Sequence, residues 1–193
     1  MHCHSWDAMF TFQTLQTPPP RLEDRDHWRL RDGTQLTLRP MQAQDGPLLD
    51  DMLERLSPGA RRNRFHGGVN SRPALLGCLQ APGQIAFIVT AERQQQLQVV
   101  AEARYAVDSQ GDCAEFAVVV DERWQRRGLG ERAMRALANT AAHTGLRWLH
   151  GEVLADNRAM LALMRRCRFC CTPDAEDPRL VHAESALHIA RRA

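Results

Sequence analysis

The sequence predicts a mixed α/β domain, an antiparallel β-meander followed by alternating helices and strands, and three observations carry that expectation. Ile85 to Thr90, Leu97 to Val107 and Cys113 to Val120 are successive extended apolar runs separated by short polar breaks. Downstream, helical spacing from about Leu129 to His143 gives way to an extended stretch, Leu146 to Leu154, and then to a second helical stretch, Asn157 to Arg166. Finally, 193 residues with 44% hydrophobic and 25% charged side chains suit one packed domain with some tail.

In chain order, residues 1 to 27 stand apart and are expected to form a poorly ordered arm. They mix isolated aromatics with Thr17-Pro18-Pro19-Pro20, which forbids helix, and a charged run from Arg21 to Asp26. The domain is set at 28 to 193. Arg29 to Arg39 reads as a hairpin around a two-residue turn, Asp32-Gly33, with Leu36 and Leu38 on one strand face. Asp45 is expected to cap a helix carrying Leu48, Leu49, Met52, Leu53 and Leu56, which Ser57-Pro58-Gly59 ends. A further helix is expected after Ser71, with Leu75, Leu76 and Leu79. Beyond the three strands, Ala133, Met134, Leu137 and Ala141 share one face of the long helix, and Gly145 stops it. Phe169 and Leu180 to His188 supply the final strands, and no internal repeat is visible.

Charge narrows the function classes. The formal net charge is +2, from 25 basic and 23 acidic side chains, a balance that argues against a nucleic-acid binder. The cluster Arg61-Arg62-Asn63-Arg64 reads as a solvated face. Lysine is absent, so an acceptor amine other than the N-terminus must come from a partner. No secretory pattern and no bilayer-length apolar run is present, so a cytoplasmic protein without a membrane partner is expected. The six cysteines then read as reduced and mostly buried. Cys167-Arg168-Phe169-Cys170-Cys171 and His2-Cys3-His4 lack the paired ligand clusters of a zinc site, and no metal is expected.

The most informative stretch runs from Glu115 to Gly130. An apolar strand ends, a short loop follows, and Gly128-Leu129-Gly130 opens a helix. Unpaired N–H groups at a helix start, with the dipole behind them, make an anion site, and glycine lets phosphates approach the backbone. Arg126 and Arg127 add charge. A dinucleotide fingerprint fails because Ala133 stands where a third glycine is needed, and a P-loop fails because the chain has no lysine.

What remains resembles the acyl-CoA-binding signature of the GNAT acetyltransferases, Gln/Arg-x-x-Gly-x-Gly/Ala, at Gln125, Gly128 and Gly130. The resemblance covers roughly residues 34 to 171. Thr37-Leu38-Arg39-Pro40 is similar to the family's opening strand, and Leu154 to Leu163 to its later strand-to-helix junction. Arg55-Leu56-Ser57-Pro58, Arg64-Phe65, Ala114 to Val120 and Gly151 to Leu154 resemble the GNAT domain of bacterial protein lysine acetyltransferases. The resemblance implies a mostly antiparallel sheet of about six to seven strands, splayed at the cofactor site and flanked by about four helices. It implies that Val118, Val119 and Val120 line the pantetheine arm, with main-chain hydrogen bonds from Val118 and Val120. Gln125, Arg126, Arg127, Gly128, Leu129 and Gly130 would bind the acetyl-CoA pyrophosphate, and Asn157 would reach the cofactor from the second junction.

Acetyl transfer to an amine needs a base to take a proton from the ammonium. Glu115 is the candidate, on the strand beside the thioester and in an apolar sequence context that would raise its pKa. In the resembling branch a glutamate at this position is taken to be the base; the plainer reading pairs it with Arg104. Glu152, a second carboxylate on the neighbouring strand, would help hold the acceptor amine or assist the base, and reads equally as a surface charge. The family's tyrosine acid is replaced by Met164, and its glycine before the last phenylalanine by Arg168. The expectation is an N-acetyltransferase for a protein lysine, as a monomer or homodimer. Its alternatives are a small-amine acetyltransferase and a non-catalytic acyl-CoA sensor.

Overall fold

Eight strands form one sheet in the order β1-β2-β3-β4-β5-β6-β8-β7. The structure is a computed structural model that describes residues 25–65, 83–93 and 96–187. The strands are β1 Asp26–Arg29, β2 Gln35–Pro40, β3 Gln84–Arg93, β4 Gln96–Val107, β5 Cys113–Val120, β6 Trp148–Leu154, β7 Cys170–Pro173 and β8 Leu180–Ala186. Every neighbouring pair is antiparallel except β5 with β6, which run parallel. Short edge strands at both ends take the count past the expected six to seven. Four helices are described: α1 Gly46–Arg55, α2 Pro58–Phe65, α3 Leu129–His143 and α4 Arg158–Arg166.

Alternation along the strands divides the core between two faces. Phe87, Val89, Ala101, Ala103, Phe116 and Val118 join Ala133, Met134, Leu137 and Ala141 of α3 in one cluster. Ile88, Val99 and Val119 meet Leu49, Met52, Leu53 and Leu56 of α1 and its C-terminal turn in the other. Burying a leucine of this kind contributes about 1.5–3 kcal/mol. The β5-α3-β6 crossover places α3 over the first face, as a parallel connection requires. A bulge interrupts the β3–β4 register between Val89 and Thr90, leaving Val100 without a partner.

Several expectations need correction. The first hairpin turns through three residues, Arg31 to Gly33: Leu30 N–H reaches Thr34 O, and Gly33 is left-handed at φ 85. Asp45 precedes α1 but does not cap it; its buried carboxylate accepts two bonds from Arg39 at 2.6 and 2.7 Å and one from Gln42 N–H. Ser57-Pro58-Gly59 ends α1 and also starts α2, with Ala60 N–H donating to Ser57 Oγ at 3.1 Å. The arginines of α2 are not a free basic face. Arg61 donates to the carbonyls of Glu54 and Leu56, Arg62 to Asp156, and Arg64 to Glu102. The thiols are less buried than expected: Cys113, Cys167 and Cys171 are half-buried and Cys170 is exposed on the edge strand.

The strand β1 starts at Asp26, inside the stretch set apart as an arm; residues 1–24, with His2, Cys3 and His4, lie outside the described residues. So does the helix expected after Ser71, with Cys78. No helix among the described residues is long and apolar enough to cross a membrane.

Candidate functional site

The site follows from a defect in the sheet. β5 and β6 pair only at Cys113–Trp148, Ala114–Leu149 and Glu115–His150, and beyond Glu115 they separate into a notch. Gly151 sits where they part: a Cβ there would lie 3.0 Å from both the carbonyl oxygen and the ring of Phe116. Opposite, Asp121 N–H bonds to Val100 O with Ala101 and Val120 as register partners. This makes Ala101–Val120 a non-hydrogen-bonded pair, so Val120, and by alternation Val118 and Phe116, turn their N–H and C=O away from β4 toward the notch. Val119 pairs with Glu102 instead, and its side chain packs beside α1.

At the wide end of the notch the chain enters the loop Gln125 to Gly130. Asp121 is buried and holds this end together, accepting from Arg123 N–H, the Arg123 guanidinium and Arg55 of α1. Burial works to raise its pKa, but these hydrogen bonds outweigh it and the net direction is down. Trp124 is buried as an anchor, with the Arg127 guanidinium stacked 5.2 Å over its ring. Gln125 Nε2 donates to Val120 O at 3.1 Å. Arg126 then adopts φ 62 and Gly128 φ 82, left-handed values that aim successive amides to one side. For a side-chain-bearing residue such as Arg126 this costs about 1–2 kcal/mol. No acceptor among the described residues meets the N–H groups of Arg126 through Glu131. Leu129 is buried, and Gly130 is packed so closely that a Cβ would lie 3.1 Å from Leu163 of α4.

The second junction is closed. Asn157 Oδ1 accepts from Met160 N–H at 3.2 Å and caps α4. Arg168 takes φ 66, the backbone of the glycine it replaces, and the turn survives as a Schellman cap: Phe169 N–H reaches Met164 O and Arg168 N–H reaches Arg165 O. Phe169 then packs edge-on against Phe116, centroids 5.1 Å apart. Met164 is fully buried, and Tyr105 lies buried in the sheet with its hydroxyl toward Thr144.

Glu115 stands at the closed end of the notch, on the α1/α2 face. The apolar setting expected for it is absent: Glu115 is exposed. It does not pair with Arg104. That guanidinium and Arg64, whose side chain is 10% exposed, share the buried carboxylate of Glu102. Burial lowers the Arg64 pKa against the pull of Glu102, and Glu115 is near enough for Arg64 to feel its charge. Glu152 is exposed on the same face of β6, in register with His182 of β8. Sequence reasoning missed two features. Ser57 and Arg62 tie α2 to Glu122 and Asp156, one at each junction, and His150 lies beside Glu115. Only the sheet register could have revealed the second.

The acetyltransferase (GNAT) family model matches residues 51–169. An acetyltransferase of Pseudomonas aeruginosa is 32% identical over 168 residues, 84% of this chain and 90% of that protein. Among solved structures, the GNAT domain of S. lividans PAT superposes with TM-score 0.74 at 21% identity, covering 86% of this chain and 99% of that one. RimL, a ribosomal L7/L12 alpha-N-protein acetyltransferase in complex with coenzyme A, superposes with TM-score 0.61 at 17% identity, covering 80% and 95%. The sheet with its notch and the matched span together decide the matter: the chain belongs to the acetyltransferase (GNAT) family.

Proposed function

We propose that this protein is an acetyl-CoA-dependent N-acetyltransferase that acetylates a primary amine, with a protein lysine as acceptor, by direct attack in a ternary complex. The observation that carries the reading is the polarity of the notch. Its open end holds the unpaired amides after Arg126, and its closed end holds Glu115. The five residue steps from Glu115 to Val120 span ~17 Å of extended chain, the order of length of an extended pantetheine arm. A pyrophosphate on the loop would thus leave the thioester beside Glu115, with the N–H and C=O of Val118 and Val120 along the arm.

Glu115, directly or through a water, takes a proton from the acceptor ammonium. The freed nitrogen attacks the thioester carbonyl, the C–S bond breaks with its electron pair on sulfur, and the nitrogen loses its second proton. With Met164 buried at the tyrosine position, the sulfur leaves as thiolate and is protonated by water. α2 walls the acceptor side, and its ties to Glu122 and Asp156 link that wall to both junctions. The preference for a protein lysine rests on the sequence resemblance to the protein acetyltransferase branch.

The test is acetyl-CoA consumption over lysine peptides, polyamines, amino acids and aminoglycosides, with Glu115→Gln alongside. Turnover on peptides that falls about 10²–10⁴-fold in the variant, at unchanged acetyl-CoA affinity, supports the reading. Turnover on small amines alone replaces the acceptor. A sensor role is favoured by one observation, the buried Met164, and predicts acetyl-CoA binding without turnover in either protein.

A further inference from the structure

The row of side chains crossing the closed end of the notch contains a second group able to carry protons. Glu115 of β5 is the register partner of His150 of β6, which is the partner of Glu184 of β8, and Glu184 is the partner of Cys170 of β7. Register partners point to one face; the antiparallel partners His150 and Glu184 have Cβ atoms about 4.5–5.5 Å apart, and the parallel partners Glu115 and His150 sit on strands about 4.8 Å apart. His150 therefore stands between two carboxylates, one from each neighbouring strand. Glu115 and Glu184 are exposed and His150 is half-buried, so the row is open to water. No side chain of the three makes a hydrogen bond to another described residue, so each can swing toward its neighbour directly or through one water. Among the described residues, the other charged or titratable groups on this face around the row are Arg104 and Glu102 on β4, Glu152 on β6, His182 with Asp174 beyond it, Cys170 on β7 and Arg64 from α2.

A lone exposed carboxylate is a weak base for an ammonium whose pKa lies near ~10. Imidazole changes charge near neutral pH and accepts a proton that a carboxylate then stabilises. Resting on the acetyltransferase reading, we propose that His150 receives the proton that Glu115 takes from the acceptor and releases it to water, with Glu184 holding the imidazolium. Glu115 is thereby a carboxylate again when the nitrogen sheds its second proton. Of the two protons lost from nitrogen, the first reaches solvent through Glu115 and His150, the second is taken by the regenerated Glu115 carboxylate and leaves by the same route, and the thiolate sulfur is protonated from water.

His150→Gln tests this through the pH profile of kcat/KM for the acceptor. The expected result is a fall of about 10–100-fold at neutral pH, a pH profile changed in shape from the wild type's, and an unchanged KM for acetyl-CoA. A variant that keeps the wild-type profile overturns the assignment. A second measurement needs no turnover: the His150 ring titrated by NMR in wild type, Glu115→Gln and Glu184→Gln. Removing either carboxylate is expected to lower the His150 midpoint, and a midpoint unmoved in both overturns the proposal. A wild type inert toward every amine overturns the acetyltransferase reading and with it this role. It is distinguished from failure of His150 alone, in which the wild type turns over and His150→Gln keeps its profile.

Discussion

The two strand-to-helix junctions flanking the notch are built from similar parts and finished differently. After β6 the chain turns at once into α4, and Asn157 satisfies the first turn from within. After β5 it runs through a longer loop, takes left-handed steps at Arg126 and Gly128, and opens the 15-residue α3 with no side-chain cap. A capped helix start is a structural joint. An uncapped one, on a long helix with its amides turned to one side, is a place for an anion, because dipole and donors are both left unanswered. Under the proposed function, this difference assigns the cofactor's phosphates to the open junction, and the contrast can be broken experimentally.

The largest effect is expected where the two junctions touch. Gly130→Val forces a branched side chain against Leu163 and Val120, separating α3 from α4 and β5. The expected loss is about 1–3 kcal/mol in denaturant unfolding, with weaker acetyl-CoA binding by calorimetry. Asn157→Ala removes the internal cap and should cost about 1 kcal/mol. If acetyl-CoA affinity falls as well, the closed junction also touches the cofactor and the contrast softens. Arg168→Gly should raise stability by about 1 kcal/mol, since the left-handed backbone at φ 66 is retained without side-chain strain; an unchanged melting temperature would contradict this.

The smallest effect is acid sensitivity at the open junction. The Asp121 pKa is lowered in the folded state, so its contribution is present above the unfolded carboxylate value near ~4 and is lost as pH falls through the folded one. Thermal melts should drop below about pH 4, and Asp121→Asn should flatten that drop while starting from a lower melting temperature.

Most of this architecture was legible because it is written in local periodicity. The meander β3-β4-β5, the buried stripe of α3 and the paired glycines of the loop each follow from neighbours a few residues apart. What escaped depends on distant partners. The helix α2 carries no buried apolar residue, and its arginines are held by Glu102 and Asp156, so its sequence resembles a solvated patch. Asp45 reads as a cap until Arg39 is seen to hold it. Exposure of Glu115 and the neighbourhood of His150 depend on where two strands, separated by a helix in sequence, stop pairing. The conformation of Arg168 was hidden because the residue is one that seldom adopts it.

An open sheet ordinarily has two rims, and edge strands are where unwanted strand pairing begins. This sheet has a third rim inside it, the stretch of β5 from Phe116 to Val120 that faces the notch. Its three rungs with β6 make the notch a blind alley, so a foreign strand running along β5 meets a wall at Glu115. A ligand that ends there can use the same backbone groups, apart from the Val120 carbonyl that Gln125 already holds. Such an unpaired inner rim suits a short ligand better than the continuous polypeptide that would turn an edge into an aggregate.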